Sequence, residues 1–412
     1  MRRSSVLIAT VLLAALPSRA QNARIGVAAP FTVTGQALAT QRLKSFDPGS
    51  SNRAAGFRAT AYPTLQLGEH WYAYSAVQVS SEPFFFYESY YPEREVEAKV
   101  LQGFVGYTWT AERKAFSFKA GKLASAFGAF PLRYDDTANW LLDQPMAYGS
   151  YLRMRPDQLP CGVNDLLHQT QYREEVEFYC GGSEEEHYGM LPVTLYGLPG
   201  AEIGISWGRV DARLQLTGSS PANPQSLRSG SQAIQWTAGA GYTIWQGFRV
   251  GVSAFRGPFL EESVKPLLAA GKSIRDYPAT AVGADAQWAA GRFAANGEWQ
   301  WSQFAYPAYQ TQPAVHFAYA EVKATVTPRV YVAFRAGLQN HGSVVDRRSR
   351  VADPFQPNRQ AYELAAAYRI NRFQQLKVGY EWLHTQGTSG TRDNVLGLQI
   401  ITSVSSLSQA IR

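Results

Sequence analysis

The spacing Gly204-Ile205-Ser206-Trp207-Gly208 is that of a nucleophile elbow. Such an elbow needs a strand, a sharp turn and a helix, with an acid and a histidine downstream to activate the serine. Here the pattern lies between two stretches that alternate apolar and polar residues, and Gly208 opens a tight turn. It therefore reads as structure. Six histidines (His70, His168, His187, His316, His341 and His384) are scattered without metal-ligand spacing. Gly239-Ala240-Gly241 is not a phosphate loop, because no helix is expected after it. No cofactor and no metal are expected.

Charge chemistry is better placed. Residues 127–190 carry eleven acids, among them Asp135, Asp136 and the run Glu184-Glu185-Glu186, against four arginines. The stretch has no sustained alternation, although both flanks alternate clearly. A structureless stretch this long inside a compact domain is uncommon unless it is functional. It is expected to be a long loop folded into the lumen of a membrane β-barrel, where it narrows the pore.

The elements that would position these charges follow from composition and period. Residues 1–20 read as a cleaved secretory signal. Met1-Arg2-Arg3 is the positive start, Val6 to Leu16 the apolar run, and Ser18-Arg19-Ala20 the small-residue end. Removing them leaves 36 basic and 32 acidic residues in one domain, 21–412. No basic cluster interleaved with aromatics suggests nucleic acid. No later apolar run is long enough for a membrane helix. What recurs instead is a segment of roughly ten to fourteen residues, apolar at every second position and rich in aromatics, the pattern of an outer-membrane barrel strand.

In residues 373–383, Leu376, Val378, Tyr380 and Trp382 oppose Lys377, Gly379 and Glu381. In residues 329–339, Phe334 and Leu338 oppose Arg335 and Gln339, and in 292–303 Trp299 opposes Glu298. A period of two puts these sets on opposite faces. Counting such segments gives sixteen strands, from 24–41 and 53–67 through to 373–386 and 392–404. Short turns such as Trp207-Gly208 and Ala290-Gly291 alternate with long loops. Short turns belong on the periplasmic side, which places both termini there. The expected fold is an all-β transmembrane antiparallel barrel with a long inward loop between the fifth and sixth strands.

Over residues 21–412 the chain resembles the bacterial outer-membrane porins. The resemblance rests on the signal, the sixteen strands, the alternating turns and the position of the longest loop. Ala120 to Gly128, followed by Arg133-Tyr134-Asp135-Asp136, looks like the start of that loop in porin-like barrels. The resemblance implies a passive channel for small hydrophilic solutes or ions in outer-membrane lipid. It implies a constriction in which Arg133, Asp135 and Asp136 face a wall of Lys119, Arg209, Asp211, Arg213, Arg249 and Arg335. It also implies a homotrimer, although the short glycine-rich loop motif of the best-known trimeric porins is missing. The end Gln409-Ala410-Ile411-Arg412 lacks the terminal aromatic of porin last strands. Two other readings stay open: a lipid hydrolase built on a barrel, and a closed barrel serving adhesion or assembly. Cys161 and Cys180, both in the long loop of an exported chain, are expected to be oxidised to each other.

Overall fold

The computed structural model describes residues 25–40, 51–81, 96–130, 135–171, 179–182, 189–193, 196–218, 234–307, 311–345, 352–387, 394–404 and 408–411. The proposed signal, residues 1–20, lies outside them, as does Arg133. Sixteen antiparallel staves close into a barrel. They are β1 (Ile25–Ala28 and Phe31–Thr40), β2 (Arg53–Ala61 and Thr64–Leu67), β3 (Trp71–Ser81), β4 (Val96–Ala111), β5 (Lys114–Ala124), β6 (Tyr196–Trp207), β7 (Val210–Thr217) and β8 (Gln235–Trp245). The circuit continues with β9 (Phe248–Pro258), β10 (Pro278–Ala290), β11 (Phe293–Phe304), β12 (Ala314–Thr327), β13 (Val330–His341), β14 (Arg359–Arg369), β15 (Gln374–Thr385) and β16 (Val395–Val404 and Ser408–Ile411). β16 closes on β1, with Phe31 opposite Val404 and Thr40 opposite Val395.

Two strands expected to be continuous are broken. Pro30 interrupts β1 and Pro63 interrupts β2, because proline has no N–H to give a ladder. Across the gap the Tyr62 N–H donates to the Pro30 carbonyl at 2.8 Å. Below the breaks, Ile25–Ala28 pairs on one side with Thr64–Leu67 and on the other with Ser408–Ile411.

Alternation sorts the faces as the period requires. Val378 is 46% exposed and Lys377 0%; Phe334 is 39% exposed and Arg335 3%. Trp299 and Leu214 also point outward. An outer face this apolar suits hydrocarbon rather than water. Exposed aromatics, among them Trp71, Trp109, Trp207, Trp245 and Trp288, gather at the short-turn end, where an interfacial girdle belongs. The turns themselves are tight: Gly208 and Gly291 adopt φ of 60° and 55°, a region that favours glycine.

The stretch between β5 and β6 is a loop, but it is not structureless. It contains α1 (Met146–Gly149), α2 (Val163–Gln171) and, on either side of α2, the short antiparallel strands Gln158–Pro160 and Tyr179–Gly182. It fills the long-loop half of the barrel beside β9 to β13. Phe127, Phe130, Tyr148, Leu152 and Met154 from the loop pack with Phe255, Phe304, Val315 and Phe317 from the wall, all buried. The lumen there is an apolar core and not a charged ladder.

Candidate pore constriction

The loop starts where the chain leaves β5 at Ala124. Gly128 has φ of 74°, and a Cβ there would overlap the Tyr148 hydroxyl and the Glu298 carboxylate. Only glycine fits this point. Glu298, buried on β11, accepts from the Tyr148 hydroxyl at 2.5 Å, Gln300 Nε2 at 2.8 Å and the Tyr319 hydroxyl at 3.1 Å. The Gly128 N–H donates to Ser253 Oγ at 3.0 Å. Neutral donors thus hold the first turn of the loop against β9 and β11.

A second anchor holds residues 135–143 against β13 to β16. Lys377 Nζ donates to the carbonyls of Asp136 (2.8 Å), Asn139 (2.6 Å) and Leu141 (3.3 Å). Glu363 accepts from the Leu142 N–H at 2.7 Å, and Gln399 Nε2 donates to the Leu142 carbonyl at 2.9 Å. Arg335 Nη1 donates to the Asp143 carbonyl at 2.7 Å, and its Nη2 pairs with Glu321 at 2.8 Å. Charged donors and acceptors satisfy the backbone of an irregular segment that has no ladder of its own. Apolar knobs seat beside them. Leu142 stands over Gly379 and Gly397, Met146 over Gly337 and Phe127 over Gly283. The wall glycines are sockets.

Among the described residues, a cavity of about 630 Å³ lies against β2 to β10. Gly128 and Asp135 of the loop bound it, facing Lys119, Glu202, Asp211, Arg213, Arg249 and Asp285 of the wall. Lys119 pairs with Glu202 at 2.8 Å. Arg249 bridges Asp211 at 2.7 Å and Asp285 at 3.0 Å. Arg213 Nη2 donates to the Gly128 carbonyl at 2.6 Å, so the wall touches the loop through a guanidinium. The hydroxyl of Tyr62 donates to Asp135 at 2.5 Å.

The structure brings Lys119, Asp135, Asp211, Arg213 and Arg249 together around this cavity and moves three other expected residues elsewhere. Asp136 turns away from the wall arginines; it pairs with Arg58 and accepts from Thr34 Oγ1 at 2.6 Å. Arg335 is buried because Glu321 and Glu363 flank it in register on both neighbouring strands, so it serves as an anchor. Arg209 sits at the short-turn end, donating to the Ile244 carbonyl at 3.1 Å. Arg58, Tyr62, Tyr74, Glu202 and Asp285 were not anticipated. Their signal was parity, since Arg58, Tyr74, Glu202 and Asp285 are polar residues at inward positions of their strands.

Ser206 lies on β6 opposite Asp211, and a two-residue turn leads directly into β7. The helix an elbow needs is replaced by a strand. Cys161 follows the Gln158–Pro160 strand, while the side chain of Cys180 lies outside the described residues. Register places the two cysteines' neighbours together, with Pro160 opposite Tyr179.

No family model matches the chain, and no curated relative does. Solved structures do. The chain is similar to Salmonella typhi OmpF in complex with daunomycin, at a TM-score of 0.54 and 10% identity, over 92% of this chain and 97% of that one. It is similar to outer-membrane expressed OmpT of Vibrio cholerae, at 0.53 and 7% identity over 93% and 99%. An anion-selective porin from Comamonas acidovorans gives 0.51 and 10% identity over 93% and 100%. At such identities the likeness speaks for the fold, a porin-type barrel.

Proposed function

We propose that the chain is an outer-membrane porin, a passive channel for small hydrophilic solutes and ions narrowed by its long loop. The observation that carries this reading is the charged cavity between Gly128 and Asp135 on the loop and the Lys119, Arg213 and Arg249 wall. Rings of charge in a narrow lumen select ions, and low-dielectric walls focus their field. The barrel fold, the apolar outer face and the likeness to outer-membrane proteins support the location. A leader removed from residues 1–20 would deliver it there. Lipid and diffusing solutes would be its partners. Assembly as a homotrimer belongs to the same proposal.

One observation favours the closed-barrel reading instead. The apolar core around Phe127, Tyr148 and Phe317 fills the long-loop half beside β9 to β13, so any passage must run along β2 to β10. The test is conductance of the folded chain across a planar bilayer in a salt gradient. Discrete ion-conducting steps are expected, with a small zero-current potential because the acids of the β5 to β10 wall are paired with bases. Asp135→Asn should shift that potential toward anions and Arg213→Gln toward cations. A folded, inserted barrel without conductance overturns the channel in favour of the closed barrel.

A further inference from the structure

Charge is distributed unevenly around the cavity. On β5 to β10 every acid has a cation beside it. Glu202 has Lys119, and Asp211 and Asp285 share Arg249, with Arg213 close enough to act on Asp285. On the β2 to β4 side the picture differs. Asp135 receives only neutral donors among the described residues: the Tyr62 hydroxyl at 2.5 Å and the Thr137 N–H and hydroxyl, each at 2.7 Å. Lys377 acts on Asp135 electrostatically, but it is fully buried and committed to three loop carbonyls. Arg58 is committed to Asp136.

Aromatic residues share this side of the cavity with the carboxylate. Tyr62, Tyr74 and Phe104 all line the cavity with Asp135. The Tyr74 and Phe104 rings pack 5.3 Å apart, and Asp135 acts on Tyr74 electrostatically. Lys119 Nζ already stands 5.7 Å from the Phe104 ring, so this wall accommodates an ammonium beside an aromatic. A carboxylate with no salt-bridge partner among the described residues, beside aromatic rings, is an arrangement that recognises an organic cation. The acid takes the charge, and the negative ring faces take both charge and apolar body.

We propose that this corner, formed by Asp135, Tyr62 and Tyr74, is a binding site for organic cations: an ammonium or guanidinium carrying an apolar group. The site rests on reading the cavity as solute space, and it names the solute class that the cavity retains. Inorganic cations gain from Asp135 alone, and neutral or anionic aromatics gain only from the rings.

Binding can be read without conduction. Phenethylammonium, phenylacetate and ethylammonium are titrated calorimetrically into the full folded chain in detergent. Phenethylammonium should bind about three- to fivefold more tightly than either control, since carboxylate and ring contributions each amount to a few-fold in affinity. Asp135→Asn should remove that preference, and Tyr74→Leu should weaken it about three- to fivefold. Tyr74→Leu leaves the loop anchors untouched, so it reports even if Asp135→Asn disturbs the Thr137 turn. Equal affinity for phenethylammonium and phenylacetate, or a preference unchanged in both variants, overturns the site. A conducting channel without this preference sinks the site alone. The preference in a barrel that does not conduct sinks the channel reading alone.

Discussion

Leu142 of the long loop rests on Gly397 of β16: a Cβ at Gly397 would come 2.5 Å from Leu142 Cδ1 and 3.2 Å from Leu38 Cδ2. Gly397→Val should force Leu142 out and free the segment that Lys377 and Glu363 hold. Overpacking of this kind typically costs about 1–3 kcal/mol. The wall variant should melt earlier in detergent and show noisier single-channel current. Gly397→Val with Leu142→Ala should recover most of the loss, because contacting residues couple. If the double variant is no better than Gly397→Val, the socket does not hold the loop.

Phe334 and Arg335 are neighbours with opposite surroundings. Phe334→Arg puts a charge against hydrocarbon at a cost of about 2–4 kcal/mol. From alternation alone, an inward Arg335 replaced by Gln would be harmless. In the structure Arg335 lies between Glu321 and Glu363, at 2.8 Å and 3.3 Å. Removing one member of such a buried set costs about 3–5 kcal/mol. Both variants should therefore fold poorly into vesicles, while Arg213→Gln, at the edge of the open cavity, folds well. Folding yields read by gel mobility decide this, and a wild-type yield for Arg335→Gln would contradict the anchor.

Burial, with Glu381 and Glu363 nearby, holds the Asp143 carboxyl well above its usual range. A carboxyl raised on folding favours the folded state while it stays protonated. That contribution is present below its unfolded value, near pH 4, and is lost as pH rises toward the folded value. Asp143→Asn ends the titration and keeps an acceptor for the Gln144 N–H, now 2.7 Å from Oδ1. Melting temperatures measured from pH 5 to pH 8 should show the variant gaining on the wild type as pH rises. A constant difference across the range would remove Asp143 from the account.

Cys161 should be bonded to Cys180, closing a loop worth about 3 kcal/mol in chain entropy. Alkylation without reductant followed by mass spectrometry should find neither thiol modified, and a tryptic peptide pair joined through both. Two alkylated thiols in the native protein would end the idea.

Strand period made much of the wall legible. Lys377 and Val378 fall on the expected faces, as do Glu298 and Trp299, because a two-residue alternation has only two solutions. Strand register was not legible, and register decided the site. Glu321 and Glu363 lie opposite Arg335 only once β12, β13 and β14 are aligned, and that alignment turned an expected pore residue into an anchor. The apolar filling was hidden for another reason. Phe255 and Phe317 lie inward on strands whose outer faces are also apolar, and alternation cannot say what covers an inward ring. Pro30 and Pro63 were visible, but their strands alternate on both sides, which masked the breaks.

The loop leaves the wall after β5 yet is clamped by β11 to β16. Leu142 meets Gly397 and Gln399, more than 250 positions later in the chain. During assembly Phe127, Leu142 and Met146 are therefore made long before the surfaces that receive them. Such distant contacts form late, after the loop-closure entropy between them has been overcome. Seating the loop and sealing the seam between β1 and β16 become a single terminal event. A chain stalled before β15 could already seat Phe127 and Met146 but would leave Leu142 without its sockets at Gly379 and Gly397.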